Sequence, residues 1–387
     1  MTWPTLQGDA LPRSFQIARA ADDLLFTPEG EAYIDLLSGG GTVLMGHARP
    51  AIVRRVQEQL ELLWNTGAVP IGLRAQAAEA VQRHLHADLR LVVLYSTGME
   101  AAEFALRMAR HLTGRRDAVG FDHSMHGKSQ ATAALGWPNE LATLSDFHRL
   151  PYLPEVSEED TLERLRATLE AREVAAVFLE PLLGSHGGHA PTRAFGEALG
   201  ELCAAHGALL VVDEILTGFH RCGPTFLHPG LGLAPDLLLV GKAMGNGFPV
   251  AGVVADLRHE LPPAALPGST FAGNPLAAAA VVATLAEMET CDLPAMVASI
   301  DATVQGELAD LGGAGVTLRG RGALWILELP DAQRVERIMA RLLRGRVIAS
   351  PTARFLRLMP PATITTEHLH EACAVVREAC LATARAT

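Results

Sequence analysis

Six short runs of apolar residues constrain this chain more than any other feature: "RLVVLYS" (90–96), "DAVGF" (117–121), "AAVFLE" (175–180), "ALLVVDE" (208–214), "DLLLVGK" (236–242) and "VAGVVA" (250–255). They show little of the polar alternation that a strand with one wet face needs, so each predicts a strand buried on both sides. Segments with apolar residues at helical spacing accompany them: "PAIVRRVQEQLELL" (50–63), "MEAAEFALRMARHL" (99–112), "EEDTLERLRATLEARE" (158–173) and "TRAFGEALGELCAAHG" (192–207). Buried strands joined by helices predict an α/β fold, a mostly parallel sheet covered on both faces. A chain of 387 residues with 49% hydrophobic content can supply that core and a second, smaller one.

The pattern changes after about residue 290, to "VTLRGRGALWILEL", an amphipathic "DAQRVERIMARLLRGR", a short "RFLRLMP" and a closing helix "TTEHLHEACAVVREACLATA". Near the start, "LLFTPEGEAYIDLLS" reads as a hairpin. The expected organisation is an N-terminal segment, 1–50, that joins a small α+β domain, a large domain over 51–290 and the rest of the small domain over 291–387.

Charge and composition exclude several roles. A formal charge of −11, with arginines no denser than pairs at 54–55 and 115–116, argues against a nucleic-acid partner. The opening "MTWPTLQGDALPR" lacks a basic and then apolar leader. The run "LAAAAVVATLA" (276–286) is far short of the roughly 20 residues a membrane span needs, so a cytoplasmic protein is expected. Five cysteines at 203, 222, 291, 373 and 380, with no C-x-x-C, fit reduced thiols rather than a disulfide framework.

Open α/β sheets gather ligands at the carboxyl ends of their strands. Four predicted strands end in "YSTG" (95–98), "LEP" (179–181), "VVDE" (211–214) and "VGK" (240–242). Ser96, Thr97 and Gly98 precede a helix whose first amides favour an anion. Asp213 closes a buried strand, where a carboxylate is costly unless it meets a positive partner such as a protonated ring nitrogen. Lys242 is one of only two lysines, with Lys128, among 32 basic residues. A primary amine condenses with a carbonyl and titrates low when desolvated, and a guanidinium does neither. An anion cradle, a buried acid and a lysine able to form a Schiff base together describe a pyridoxal 5′-phosphate site.

With these residues in place the sequence resembles the class III aminotransferases. These are fold type I pyridoxal-phosphate enzymes that include ornithine and 4-aminobutyrate aminotransferases and glutamate-1-semialdehyde aminomutase. The likeness runs from "EAYIDLLSGGGTVLMGHARPAIVRRVQEQL" through "FLEPLLGSHGG", "LLVVDEILTGFHRCG", "PDLLLVGKAMGNGFPVAGVVA" and "GSTFAGNPLAAAA" to "FLRLMPPATITTEHL". It implies that Lys242 holds the cofactor, Asp213 faces its ring nitrogen, and Ser96, Thr97 and Gly98 hold its phosphate. Ile215 packs on one ring face, and Met125 stands where the family carries an aromatic on the other. His126 and Glu180 line the cofactor site. Thr270 reaches the phosphate from a neighbouring subunit, which implies a homodimer with shared sites.

Arg357 resembles the arginine that receives a substrate carboxylate, and Trp64 lies in a segment similar to the family's mobile substrate side. Two departures stand out. Ser185 replaces a glutamate that gates the arginine in the ornithine and 4-aminobutyrate enzymes, and Leu216 replaces a frequent glutamine. The resemblance implies ping-pong transfer of an amino group from an amine or amino acid to an aldehyde or ketone, in specialised metabolism given the departures. An aminomutase or racemase on the same fold is the alternative.

Two other readings compete for the same stretch. Gly127, Lys128 and Ser129 close a P-loop pattern whose first glycine position is Asp122, and a carboxylate there would repel phosphate. His123/His126 and His186/His189 have metal-like spacing, but no cysteine cluster or acidic third ligand accompanies either pair in sequence, so both read as structural and no metal is expected.

Overall fold

The computed structural model describes residues 15–137, 144–262, 265–266 and 268–384. The opening stretch 1–13, read above for a leader, lies outside them. A seven-stranded sheet forms the centre, in the order Leu89–Tyr95, Ala251–Asp256, Leu237–Gly241, Leu209–Asp213, Val174–Leu179, Asp117–Phe121 and Phe147–Leu150. Ala251–Asp256 is antiparallel to both neighbours, and the remaining pairings are parallel. Each of the six apolar runs forms one of these strands to within a residue or two. The three central strands Val174–Leu179, Leu209–Asp213 and Leu237–Gly241 are buried along their whole length, as runs without alternation require.

The seventh strand, Phe147–Leu150, has no counterpart among the apolar runs. It lies at the sheet edge and reads "FHRL", because a strand paired on one side tolerates polar residues. The helices Gly98–Thr113, Glu158–Ala171 and Arg193–His206 begin at Thr97, Ser157 and Thr192, whose side chains accept from backbone amides of the first turn. Gly114 and Gly207 end two of them in the left-handed conformation. These caps fix where each strand-to-helix turn opens, and hence where the strand-end side chains sit.

The run at 276–286 lies in the helix Pro275–Met288, which packs on the helices Pro50–Leu62 and Gly72–Gln82. Beyond Cys291 a second body begins with the helix Leu293–Leu308. Its antiparallel sheet orders Thr317–Arg321, Leu324–Glu328, Phe355–Leu358 and Ser350–Thr352. The N-terminal hairpin Leu24–Phe26/Ala32–Asp35 belongs to a separate four-stranded sheet, ordered Arg19–Ala21, Leu24–Phe26, Ala32–Asp35 and Val347–Ile348, in which Val347–Ile348 pairs in parallel with Ala32–Asp35. Chain from both ends of the sequence therefore meets in that sheet, while the Thr317–Arg321 to Ser350–Thr352 sheet is built from the C-terminal part alone.

Candidate active site

Five strands of the central sheet run toward a common edge and deliver Ser96, Asp122, Glu180, Asp213 and Lys242 just at or beyond their ends. A cavity of about 920 Å³ opens there, lined by Ser96, Thr97, Gly98, Met125, His126, Glu180, Asp213, Ile215 and Lys242 among others. These nine residues singled out in the sequence, with Gly127, Lys128, Ser185 and Leu216, thus converge on one space.

Lys242 opens a short 3-10 turn immediately after the strand Leu237–Gly241. Its φ of 42° lies in the left-handed region, which a side chain occupies only when its surroundings hold it there. Burial, and after it the nearby Arg357 cation, depress its amine to about 8, while Asp213 and Glu180 pull in the other direction. A lysine in this state keeps a usable fraction of neutral, nucleophilic amine near neutral pH.

Asp213 is 5% exposed. Its Oδ2 lies 2.8 Å from His126 Nδ1, and its Oδ1 accepts from the Ile215 amide at 3.1 Å. His126 is itself buried, and its Nε2 has no hydrogen-bond partner. Glu180 accepts from the Met125 amide at 2.6 Å and from the Gly184 amide at 3.4 Å. Burial raises its carboxyl to about 7 against the opposing pull of His126. The acid therefore joins the loop carrying Met125 to the loop carrying Ser185.

Sequence reasoning passed over Glu214, which is fully buried. Adjacent side chains of a strand point to opposite faces, so Glu214 leaves the cavity to Asp213 and turns away. It accepts from Thr217 Oγ1 at 2.9 Å, from the Leu227 and His228 amides at 2.9 and 2.7 Å, and pairs with His228 Nδ1 at 2.9 Å. The second acid of "VVDE" braces the loop behind the site.

At the turn of Ser96, Thr97 and Gly98, Thr97 caps the helix Gly98–Thr113 by accepting from the Glu100 amide at 3.1 Å. The Ser96 amide is engaged by the Glu100 carboxylate at 2.9 Å. That leaves the amides of Gly98 and Met99 as first-turn donors without intrahelical partners. Met99, absent from the sequence reading, also lines the cavity. A Cβ on Gly98 would come within 2.8 Å of Ile215 Cδ1, so a side chain here would push on the residue expected against the ring.

On the substrate side, Arg357 donates to Ser350 Oγ at 2.7 Å and to Ser185 Oγ at 3.4 Å, and its Nε is buried with no partner. Leu216 fills the space beside Gly184, where a Cβ would lie 2.3 Å from its Cδ2. Trp64 and Thr270 do not reach this chain's own cavity. Trp64 is 65% exposed and donates to Leu60 O, while Thr270 O accepts from Asn65. Lys128 is at the cavity mouth, over the Trp137 ring at 5.6 Å. The two His-x-x-His pairs are split: His123 stacks on His186, and Glu155 joins them, so an acidic third group is present in space though none was visible in sequence.

The sequence profile of the family described as Aminotransferase class-III matches residues 7–380. The chain belongs to the class III aminotransferases. The aminotransferase is 32% identical, over 94% of each chain, to the acetylornithine aminotransferase of Bacillus subtilis. It is 35% identical, over 78% of its length and 73% of the relative's, to the glutamate-1-semialdehyde 2,1-aminomutase of Nitratidesulfovibrio vulgaris. Its fold matches an amine transaminase from an uncultivated Pseudomonas species, solved in its PLP-bound form, with a TM-score of 0.87, 26% identity and 98% of both chains covered. The enzyme uses pyridoxal phosphate and transfers amino groups.

The cavity fits that cofactor on its own evidence. It has the volume of a small-molecule site and is lined by a lysine whose amine burial holds low, by a buried carboxylate 2.8 Å from an imidazole whose other nitrogen has no partner, and by the first residues of a helix. Among the described residues, no helix is long and apolar enough to cross a membrane.

Proposed function

We propose that the aminotransferase exchanges amino groups between substrates that each present a carboxylate to Arg357. The observation that carries this reading is the state of that guanidinium. It is largely desolvated, its hydrogen bonds go only to the hydroxyls of Ser185 and Ser350, and its Nε has none. A buried cation with neutral partners is costly, and an incoming carboxylate relieves that cost through paired charged hydrogen bonds. With serine at 185 in place of a gating acid, nothing on that loop competes for the guanidinium, so Arg357 stays available in both halves of the exchange.

Pyridoxal phosphate supplies a carbonyl that condenses with amines and a ring that accepts the electron pair of the bond broken at the amine-bearing carbon. Lys242 would hold the cofactor through Nζ and, once released, move a proton at that atom. Asp213 would accept a hydrogen bond from the ring nitrogen and keep it charged, with His126 orienting the carboxylate. Ser96, Thr97 and Gly98 would receive the phosphate, and Ile215 and Met125 would bracket the ring. Met125 packs without the stiffness of an aromatic.

The same reading makes the enzyme a homodimer. Thr270, which the family resemblance assigns to a shared site, and Trp64, which it assigns to the substrate side, lie outside their own cavity and near each other through the Asn65–Thr270 hydrogen bond. Near them in the chain Leu62, Leu63, Val69 and Phe271 are exposed, apolar side chains that a partner subunit would cover. Sedimentation at the mass of a single chain at working concentration would overturn this. The five cysteines are all unpaired, which supports a reducing compartment, the cytoplasm.

Arg357→Ala should lower kcat/KM for carboxylate-bearing donors by about 10²-fold, the worth of a charged bidentate contact, and hardly affect neutral amines. Single-turnover bleaching of the coloured enzyme with matched pairs of amino acids and decarboxylated amines reads this directly. Equal losses for both would remove Arg357 from substrate recognition. An aminomutase working on one molecule would bleach the colour with no net transfer to an added acceptor, so measuring transfer in the same experiment separates the two chemistries.

A further inference from the structure

Three neighbouring strands of the central sheet, Val174–Leu179, Asp117–Phe121 and Phe147–Leu150, send their following loops to the same edge as the cofactor cavity. These loops carry His186, His123 and Glu155, none of which has a role in amino-group transfer. We infer that these three side chains form a binding site for a divalent transition-metal ion of the zinc type.

The donor set is the first argument. His123 Nε2 lies 3.2 Å from Glu155 Oε1, and His186 Nε2 lies 3.9 Å from the same oxygen. The three ligand atoms are all within 4.8 Å of one another. Ligands about 2.0–2.2 Å from a tetrahedral zinc stand roughly 3.3 Å apart, so the cluster is already near the size an ion imposes. Two imidazoles and one carboxylate suit zinc, copper or nickel and do not suit magnesium or calcium, which take oxygen ligands.

A second, independent observation points to a missing partner. His186 Nε2 is buried and accepts or donates no hydrogen bond, although it faces the other two donors. Its ring packs edge-on against Phe355, with centroids 4.7 Å apart. Glu155 is exposed and offers an entry path.

The geometry also says what must move. The His123 and His186 rings are stacked, 3.6 Å between centroids and 9° from parallel, and parallel rings cannot aim both lone pairs at one point. Binding therefore opens the stack, tilting the rings toward Glu155. His123 is two residues from Met125, and His186 follows Ser185, the partner of Arg357. An ion here ties together the two loops that carry a cofactor-facing and a substrate-facing residue.

The test uses holoenzyme stripped with a chelator and titrated with zinc chloride in a non-coordinating buffer. Calorimetry should show a site in the wild type that magnesium chloride does not fill. His123→Ala and His186→Ala should each weaken zinc binding at that site by at least about tenfold. Glu155→Gln, at an exposed position that leaves the fold intact, should weaken it in the same direction. Copper(II) loaded at one equivalent should show nitrogen hyperfine structure from two imidazoles by electron paramagnetic resonance, reduced to one in either histidine variant. No zinc binding by the wild type, zinc affinity unchanged in Glu155→Gln and the histidine variants, or a copper spectrum that loses no nitrogen in them, would overturn the site.

Discussion

Replacing Lys242 by methionine should abolish transamination and, in the cofactor-free protein, raise stability at pH 7. The first half follows from chemistry: a thioether forms no C=N link and carries no proton, so turnover should fall by at least about 10³-fold, with no colour fixed by borohydride. The second half follows from electrostatics. The amine falls from 10.5 in the unfolded chain to about 8 in the folded one, so at neutral pH it is charged in both states and destabilises the fold, by at most about 3 kcal/mol. Methionine fills a similar volume without the charge. The sign also fixes the pH course. Below pH 8 the penalty is complete, and between about 8 and 10.5 the folded protein has released a proton that the unfolded chain keeps. Wild-type apoenzyme should therefore gain on the variant as pH rises through that window, measured by urea unfolding. A variant that transaminates normally, or an apoprotein gap independent of pH, would show that Lys242 is neither the cofactor's lysine nor held low by its site.

That a residue proposed to hold the cofactor should burden the fold explains why it is conspicuous in the sequence. Lys242 stood out because an ammonium followed four large apolar residues in a chain that otherwise uses arginine. Asp213 stood out for the same reason, and strand-end logic placed both at one edge. What sequence could not supply was contact between distant loops. Ser350 reaches Arg357 because the two are directly paired across antiparallel strands, a register no periodicity encodes. Glu155 meets His123 and His186 only because three parallel strands end side by side, whereas the His-x-x-His spacing pointed to partners within each loop. The helix Gly72–Gln82 was similarly silent, since "GLRAQAAEAVQ" buries mostly alanines and leaves a weak apolar stripe. Thr270 was legible as a residue and not as a position, because its expected place is in the site of a proposed neighbouring subunit and it does not line this chain's own cavity.

Asp213→Asn should cost kcat on the order of 10²–10³-fold with little change in KM, since the side chain acts on the developing charge and not on substrate binding. Asparagine has the same shape, and its oxygen can still accept from the Ile215 amide, which Asp213 Oδ1 does at 3.1 Å. It cannot carry the negative charge that keeps a ring nitrogen protonated, and its NH2 would face either His126 or that nitrogen. His126→Gln tests the division of labour. Its Nδ1 lies 2.8 Å from Asp213 Oδ2, so if it acts through that carboxylate the loss should be smaller, about tenfold, and should vanish in the Asp213→Asn background. A further readout distinguishes charge from shape. The Asp213 carboxylate pulls the Lys242 amine upward, so removing it should move the limb of the pH–rate profile that reports Lys242 to lower pH. An Asp213→Asn enzyme within threefold of wild type, with that limb unmoved, would mean that the buried acid holds the loop together and that the electron sink is maintained by some other group.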